Sequence, residues 1–247
     1  MHRAGISFSI VGHAAWAPGL GTPDEWSAWA AAPWPIPAEG EPGVRAMPAM
    51  QRRRLGQLGK MALDVAYQAL GEHAGVPTVF CSRHGETARA IALLDDLAHG
   101  VPLSPTAFGM SVHNANAGMF SIARGDRANH IALAAGSGTL EHAVIEACGL
   151  LADGEPMVLL VACECPLPDM FAPFADRAEE PHAFAWLMAR DGGERLALDW
   201  TAADADEPHG GMPGTLEVLR FFAGGAAQLE RVAGRRRWRW SRGAHGA

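Results

Sequence analysis

The sequence predicts an α/β layered fold, and three observations carry that expectation. Strand-like and helix-like segments alternate along the chain, as they do where helices cross between strands of one sheet. The strand-like runs, such as PTVFC at 77–81 and the stretch 157–163, are continuously apolar rather than alternating, so the sheet is expected to be covered on both faces. The 247 residues are 49% hydrophobic and only 19% charged, which is enough apolar material for a full core and too much for a disordered chain.

Residues 5–12 (GISFSIVG) read as the first strand, from their β-branched and aromatic content. A Trp- and Pro-rich insertion follows over 16–48, where Pro33, Pro35, Pro37, Pro42 and Pro48 exclude long regular structure. Inside it, Thr22-Pro23-Asp24-Glu25 reads as a helix N-cap with proline in the first turn, and Trp26 and Trp29 share one face of the short helix. Residues 50–71 form a helix by the three-and-four recurrence of Leu55, Leu58, Ala62, Val65, Ala66 and Ala69, ended by Gly71 and Gly75. The strand 77–81 is followed by a helix over 87–99, with Ile91, Leu94 and Ala98 inward, and Gly100 stops it. A proline-containing link leads to a helix over 111–123, with Val112, Ala115 and Met119 on one side. Then come a strand at 130–135, a helix at 139–152 with Leu140, Val144, Ala147 and Leu151 inward, and strands at 157–163 and 183–189. The stretch 205–214 reads as an acidic surface loop, and a helix over 215–233 precedes a basic tail at 234–247. The chain reads as a single domain over 1–247.

The formal net charge is -7, which argues against non-specific nucleic-acid binding. Arginine is nonetheless clustered, at Arg52, Arg53 and Arg54 and again from Arg235 to Arg242, while Lys60 is the one lysine. In the tail, Trp238 and Trp240 alternate with Arg237 and Arg239, the pattern of a strand that packs its tryptophans inward. The four cysteines lie in or beside apolar runs without a C-x-x-C pair, so they read as buried thiols, and neither a metal nor a cofactor is expected. No stretch resembles a secretion signal, and no apolar run reaches the roughly 20 residues of a membrane span, so a soluble, cytoplasmic protein is expected.

Two short patterns suggest chemistry. Ser82-Arg83-His84-Gly85-Glu86-Thr87 stands between a strand and a helix and resembles the histidine phosphatase and phosphoglycerate mutase family. That resemblance implies a phosphorylated His84 with Arg83 binding the phosphoryl group, and His209-Gly210-Gly211 as its second element. The other reading of the same residues is a polar turn, with Arg83 and Glu86 paired and Gly85 supplying backbone freedom.

The longer pattern runs through Ser104-Pro105, then Asn114-Ala115-Asn116-Ala117-Gly118-Met119-Phe120-Ser121-Ile122, closed by Gly125. The following strand, small-residue turn, helix, Asp153-Gly154 and strand keep the same order. Over roughly residues 50–165 the chain resembles the β-ketoacyl synthases. The resemblance implies a thiolase-like fold: the N-terminal half of a ketosynthase, a layered mixed sheet covered by helices. It also implies a cysteine nucleophile at the start of the helix after the third strand, where the helix dipole favours a thiolate. At the matching position stands Ser137, within Ala135-Gly136-Ser137-Gly138-Thr139. The family's histidine pair belongs to its second half, and His113, His142 and His182 fall at no matching position. A chain that keeps this half without the nucleophile resembles a chain-length factor, the inactive partner of a ketosynthase in aryl polyene and xanthomonadin-type pathways. The resemblance implies a heterodimer with a full-length β-ketoacyl synthase and contact with an acyl carrier protein. It places Val112, Ala115 and Met119, with Asn114 and Asn116, beside the partner's acyl tunnel, and Arg52, Arg53 and Arg54 at a docking surface. Plain core packing is the other reading of the first set, and a solvated helix start of the second.

Overall fold

The computed structural model describes residues 4–204 and 211–243. Among these, eight strands share one mixed sheet: β1 (Ala4–Trp16), β2 (Thr78–Cys81), β3 (His130–Leu133), β4 (Met157–Glu164), β5 (His182–Ala189), β6 (Glu194–Ala202), β7 (Gln228–Ala233) and β8 (Arg236–Arg242). Their order is β3-β2-β4-β5-β1-β6-β8-β7. β2 runs parallel to β3 and to β4, and the other neighbours are antiparallel.

Side chains point alternately to the two faces of a strand, and this divides the core in two. Val158, Leu160 and Ala162 of β4, with Phe184, Trp186 and Met188 of β5, enter one cluster. Leu159, Val161 and Cys163, with Ala183, Ala185 and Leu187, enter the other. The second cluster is closed by α3 (Gln57–Leu70) and α6 (Ala115–Arg124), the first by α1 (Pro23–Ala31), α7 (Thr139–Ala152) and α8 (Gly214–Ala223). Trp238 and Trp240 of β8 join α7 in the first cluster, so the β6–β8–β7 end of the sheet covers that helix. The Trp238 ring meets His142 of α7 edge-on, with centroids 5.3 Å apart.

Local chemistry accounts for the element ends. Thr22 and Glu25 form a reciprocal capping box at α1, with Pro23 in the first turn. Trp26 and Trp29 are both buried from that helix, edge-to-face at 5.5 Å. α3 approaches β1 so closely that a Cβ on Gly12 would stand 2.9 Å from the Ala69 carbonyl oxygen. β1 is bulged between Ile10 and Gly12, and glycine lets the helix seat on the irregular strand.

Several expected boundaries move. The helix expected over 50–71 is two, α2 (Ala49–Arg52) and α3, because the chain turns at 53–56 and Gly56 becomes the N-cap. In α4 (Thr87–Ala98) Leu93 is the buried residue, whereas Leu94, Leu97 and Ala98 are exposed and Ile91 is half-buried, so the helix has no buried three-and-four stripe. The link before α6 contains α5 (Pro105–Gly109), capped by Ser104. α6 itself begins at Ala115, so Val112 lies outside it. The helix expected over 215–233 ends at Ala223, where Gly224 and Gly225 weaken it, and the rest becomes β7. The residues taken as a basic tail include β8, whose tryptophans point inward as their alternation implied. β6 was not foreseen.

Gly12→Ala is expected to lower unfolding stability by about 1–3 kcal/mol, the range for overpacking against atoms that cannot yield. Urea denaturation of the two proteins measures it.

Candidate functional site

In sheets with parallel strands, sites form beyond the carboxyl ends of those strands. β2 and β4 deliver Cys81 and Glu164 to that end, and the turn after β3 delivers Ser137. Glu164 is fully buried. It accepts a hydrogen bond from the Arg83 backbone N–H at 2.6 Å and one from the Ser82 hydroxyl at 3.2 Å. Burial, with a further push from nearby Glu179, raises its pKa to about 8, although these hydrogen bonds pull it down. The Glu164 carboxyl is therefore largely protonated at neutral pH.

The Ser82–Glu86 turn is saturated by its own partners. The Ser82 hydroxyl accepts from the Gly85 N–H at 2.8 Å, and Gly85 has φ +58° with the His113 ring against it. His113 Nε2 lies 2.9 Å from the Ser82 carbonyl oxygen. Arg83 grips Asp176 with two parallel bonds of 2.7 and 2.9 Å, which hold the Asp176 carboxyl below its usual range. Glu86 accepts from the Asn116 amide at 3.0 Å and lies 3.7 Å from Arg89, rather than pairing with Arg83. A phosphatase role needs a free Arg83 beside His84. This arginine is bound to Asp176 with Glu179 at 3.8 Å, and burial lowers the His84 pKa. The expected His209-Gly210 element lies outside the described residues.

Ser137 stands in a short 3-10 turn (Gly136–Gly138) directly before α7. Its carbonyl oxygen accepts from Arg231 Nη2 at 3.1 Å. The same guanidinium binds Glu141 at 2.5 Å and Glu217 at 3.1 Å, and both members of the Arg231–Glu141 pair are buried. Arg231 comes from β7, so the last hairpin pins the first turn of α7. A small polar cavity of about 20 Å³, room for one water, lies among Arg83, Ser137, Glu164, Arg177, Glu179 and Arg231. Beside it, buried His182 bridges Thr215 (Nε2 to Oγ1, 2.7 Å) and the Glu180 carbonyl oxygen (Nδ1, 2.7 Å), and burial depresses its pKa to about 4.

Burial disfavours the thiolate at all four cysteines. Burial pushes Cys148 and Cys165 up to about 12 and Cys81 and Cys163 well above the ordinary thiol value. Among the described residues, no group of three or more His, Cys, Asp or Glu side chains could hold a metal ion.

The other candidate residues separate. Ala115 and Met119 are buried in the chain's own second core cluster, while Val112 is exposed, so the three do not share one open face. Asn114 is the N-cap of α6, and Asn116 is buried on Glu86. Arg52 donates to the Gly43 and Val44 carbonyl oxygens, which leaves Arg53 and Arg54 as the exposed members of that cluster. Sequence reasoning missed Glu141, Glu164 and Arg231. The available signal was charge inside apolar context: Glu164 ends an apolar strand, and Glu141 lies beside Leu140 on the inward face of its helix.

The sheet, the strand–turn–helix around Ser137 and the two covering layers define a thiolase-like ketosynthase fold. Residues 26–241 match the β-ketoacyl synthase N-terminal domain, and the chain belongs to that family. It is similar to a chain of a ketosynthase (ApeO) in complex with its chain length factor (ApeC) from Xenorhabdus doucetiae. That match has 29% identity and TM-score 0.83 and covers 96% of this chain and 100% of that one. A β-ketoacyl synthase from Burkholderia phymatum STM815 shares the fold at 14% identity and TM-score 0.63, over 92% of this chain and 71% of that one. The ishigamide ketosynthase/chain length factor does so at 15% identity and TM-score 0.54, over 90% and 70%. No curated protein matches the chain in sequence. No helix among the described residues is long and apolar enough to cross a membrane.

Two outcomes are expected. Arg231→Ala leaves Glu141 buried and unpaired and is expected to cost about 3–5 kcal/mol in denaturant unfolding. Glu164 binds its proton more tightly folded than unfolded, so its contribution to stability is full below the ordinary value of 4.5 and is lost as pH rises through about 8. Stability of Glu164→Gln relative to the native chain is therefore expected to rise across that window, measured by thermal unfolding at a series of pH values.

Proposed function

We propose that this chain is a non-catalytic partner of a full-length β-ketoacyl synthase, of the chain-length-factor type. The observation that carries the reading is the turn before α7. Where a condensing enzyme needs a thiolate there is Ser137, whose backbone is held by Arg231. Among the described residues no imidazole or carboxylate bonds the Ser137 hydroxyl, so nothing there activates it. The similarity to a chain of a ketosynthase–chain length factor complex supports the pairing.

β3 is an edge strand, with unpaired backbone groups along its outer side. Nearby in sequence, Leu94, Leu97, Val101, Leu103, Phe108, Val112 and Ile122 are large apolar residues open to solvent. Such a set costs free energy unless a partner covers it. In this reading β3 and the surface of α4–α6 meet the ketosynthase, and Val112 and Phe108 set the bulk beside its acyl tunnel. Ala115 and Met119 support that wall from behind. The ketosynthase supplies the cysteine and the histidines, so the chain itself performs no bond-making step. Arg53 and Arg54 offer charge to an acidic carrier protein at the rim. The setting is aryl polyene or related polyketide synthesis in the cytoplasm.

Co-expression with a full-length ketosynthase, then size exclusion with mass determination, tests the reading. A one-to-one complex that elongates acyl chains is expected, with Ser137→Ala leaving elongation unchanged. Ile122→Asp, at a site 65% exposed in the free chain, is expected to weaken the complex about tenfold or more. A chain that stays alone beside the ketosynthase overturns the reading, as does elongation lost in Ser137→Ala.

A further inference from the structure

The connection from β4 to β5 reaches the polar cavity at Ser137, and the ketosynthase-partner role leaves its attachment unexplained. Antiparallel neighbours can be joined by a tight turn, yet here residues 165–181 intervene. No residue from 165 to 180 is buried, although the strands on either side are. The 3-10 turn Asp169–Phe174 within it buries nothing in the core and packs Phe171 on Phe174, ring centroids 6.0 Å apart. A segment with so few apolar contacts can open without the core. Its fastenings are polar. Arg83 holds Asp176 by two bonds, and Arg177 Nη1 donates to the Met212 carbonyl oxygen at 2.8 Å. At the far end Glu180 is fixed by His182 and the Ile36 N–H, so the loosely held length is 166–179.

Arg177 and Glu179 of this segment line the polar cavity together with Glu164 and Ser137, and so close the end of the strand that carries Glu164. The cations around that carboxyl are committed elsewhere. Arg83, on the turn after β2, is bound to Asp176, and Arg231, on β7, to Glu141 and Glu217. Arg177 is turned to Met212 and Asp176. His182 of β5, opposite Glu164 in register, is kept neutral by burial, as are the Cys81 and Cys163 thiols of β2 and β4. Glu179 brings a second carboxyl from the segment, and its Oε2 is buried without a hydrogen bond. An ionised Glu164 therefore meets a like charge and, among the described residues, no uncommitted cation, so under the closed segment it holds its proton. Opening gives the carboxyl to water, where it ionises at its ordinary value. The closed state is thus favoured by the proton below 4.5 and loses that advantage as pH rises to about 8.

We propose that residues 166–179 form a proton-held lid over the turn that carries Ser137, latched by Asp176 on Arg83, closed over a neutral Glu164 carboxyl and opened as that carboxyl gives its proton to water. Access to the cavity at Ser137 then follows pH. The device is built from this chain's own residues and does not rest on a ketosynthase partner.

Hydrogen exchange of the full chain, followed by NMR, tests this at the Arg83 backbone N–H, which donates to Glu164 beneath the lid. Its protection, taken relative to the unstructured rate at each pH, is expected to fall about tenfold or more between pH 5.5 and 7.5 and to level off above about 8. Amides at the centre of β5 are expected to keep theirs. Glu164→Gln still accepts from the Arg83 N–H but has no proton to release, so most of the pH dependence is expected to vanish. His84, which burial depresses, would titrate in the opposite sense if uncovered, and it is present in both proteins, so the comparison isolates Glu164. Asp176→Ala removes the latch from the exposed side and is expected to lower the protection about threefold or more at every pH. Protection at Arg83 that ignores pH overturns the proposal. So does an unchanged pH dependence in Glu164→Gln, or native protection in Asp176→Ala. Loss of protection in β5 in step with Arg83 overturns it as well, because the whole sheet is then opening rather than a lid.

Discussion

β4 and β5 have almost no solvent face: each residue of β5, and all of β4 but Met157, is buried. That constraint governs the rest. A strand buried on both sides needs a helical layer above and below it. α3 and α6 supply one layer and α7 the other, but α7 is itself apolar on more than one side and must be covered in turn. The cover is the chain's own β6–β8–β7 extension, which brings Trp238 and Trp240 against α7, with α1 and α8 completing the cluster. Each large side chain buried this way contributes about 1.5–3 kcal/mol, so the extension is a major part of the core rather than an appendage.

The same extension reaches the turn before α7. Arg231 from β7 lies under that turn and binds Glu141, Glu217 and the Ser137 carbonyl. A buried ion pair is a poor source of stability, since desolvation takes back most of the Coulombic gain. Its effect is geometric: it fixes one register between the last hairpin and the first turn of α7. The neighbouring Glu164 solves burial differently, by keeping its proton. Together they leave the end of the parallel strands polar, with a cavity of about 20 Å³ between them.

Much of this was legible. The N-cap at Thr22, the three-and-four stripe of α3 and the alternating tryptophans of β8 all appear in the structure as their local patterns imply. The motif from Asn114 to Gly125 and the turn at Ser137 pointed to the family that the domain match shows. The failures have physical causes. Val112, Ala115 and Met119 have helical spacing, but the helix starts only at Ala115, after a turn tied down by His113 on Ser82. Arg83 and Glu86 are three residues apart, yet each has a stronger partner distant in sequence, Asp176 and Asn116.

By itself the sequence determined the class of fold, the alternation of its strands and helices, and a serine rather than a thiol in the small-residue turn before α7. These follow from periodicity and from residue identity at one turn, both local quantities. Tertiary structure alone decided which charges meet. Arg231 and Glu141 are separated by 90 residues, as Arg83 and Asp176 are by 93. Such pairs depend on how strands from opposite ends of the chain come to lie in one sheet, and no local pattern encodes that.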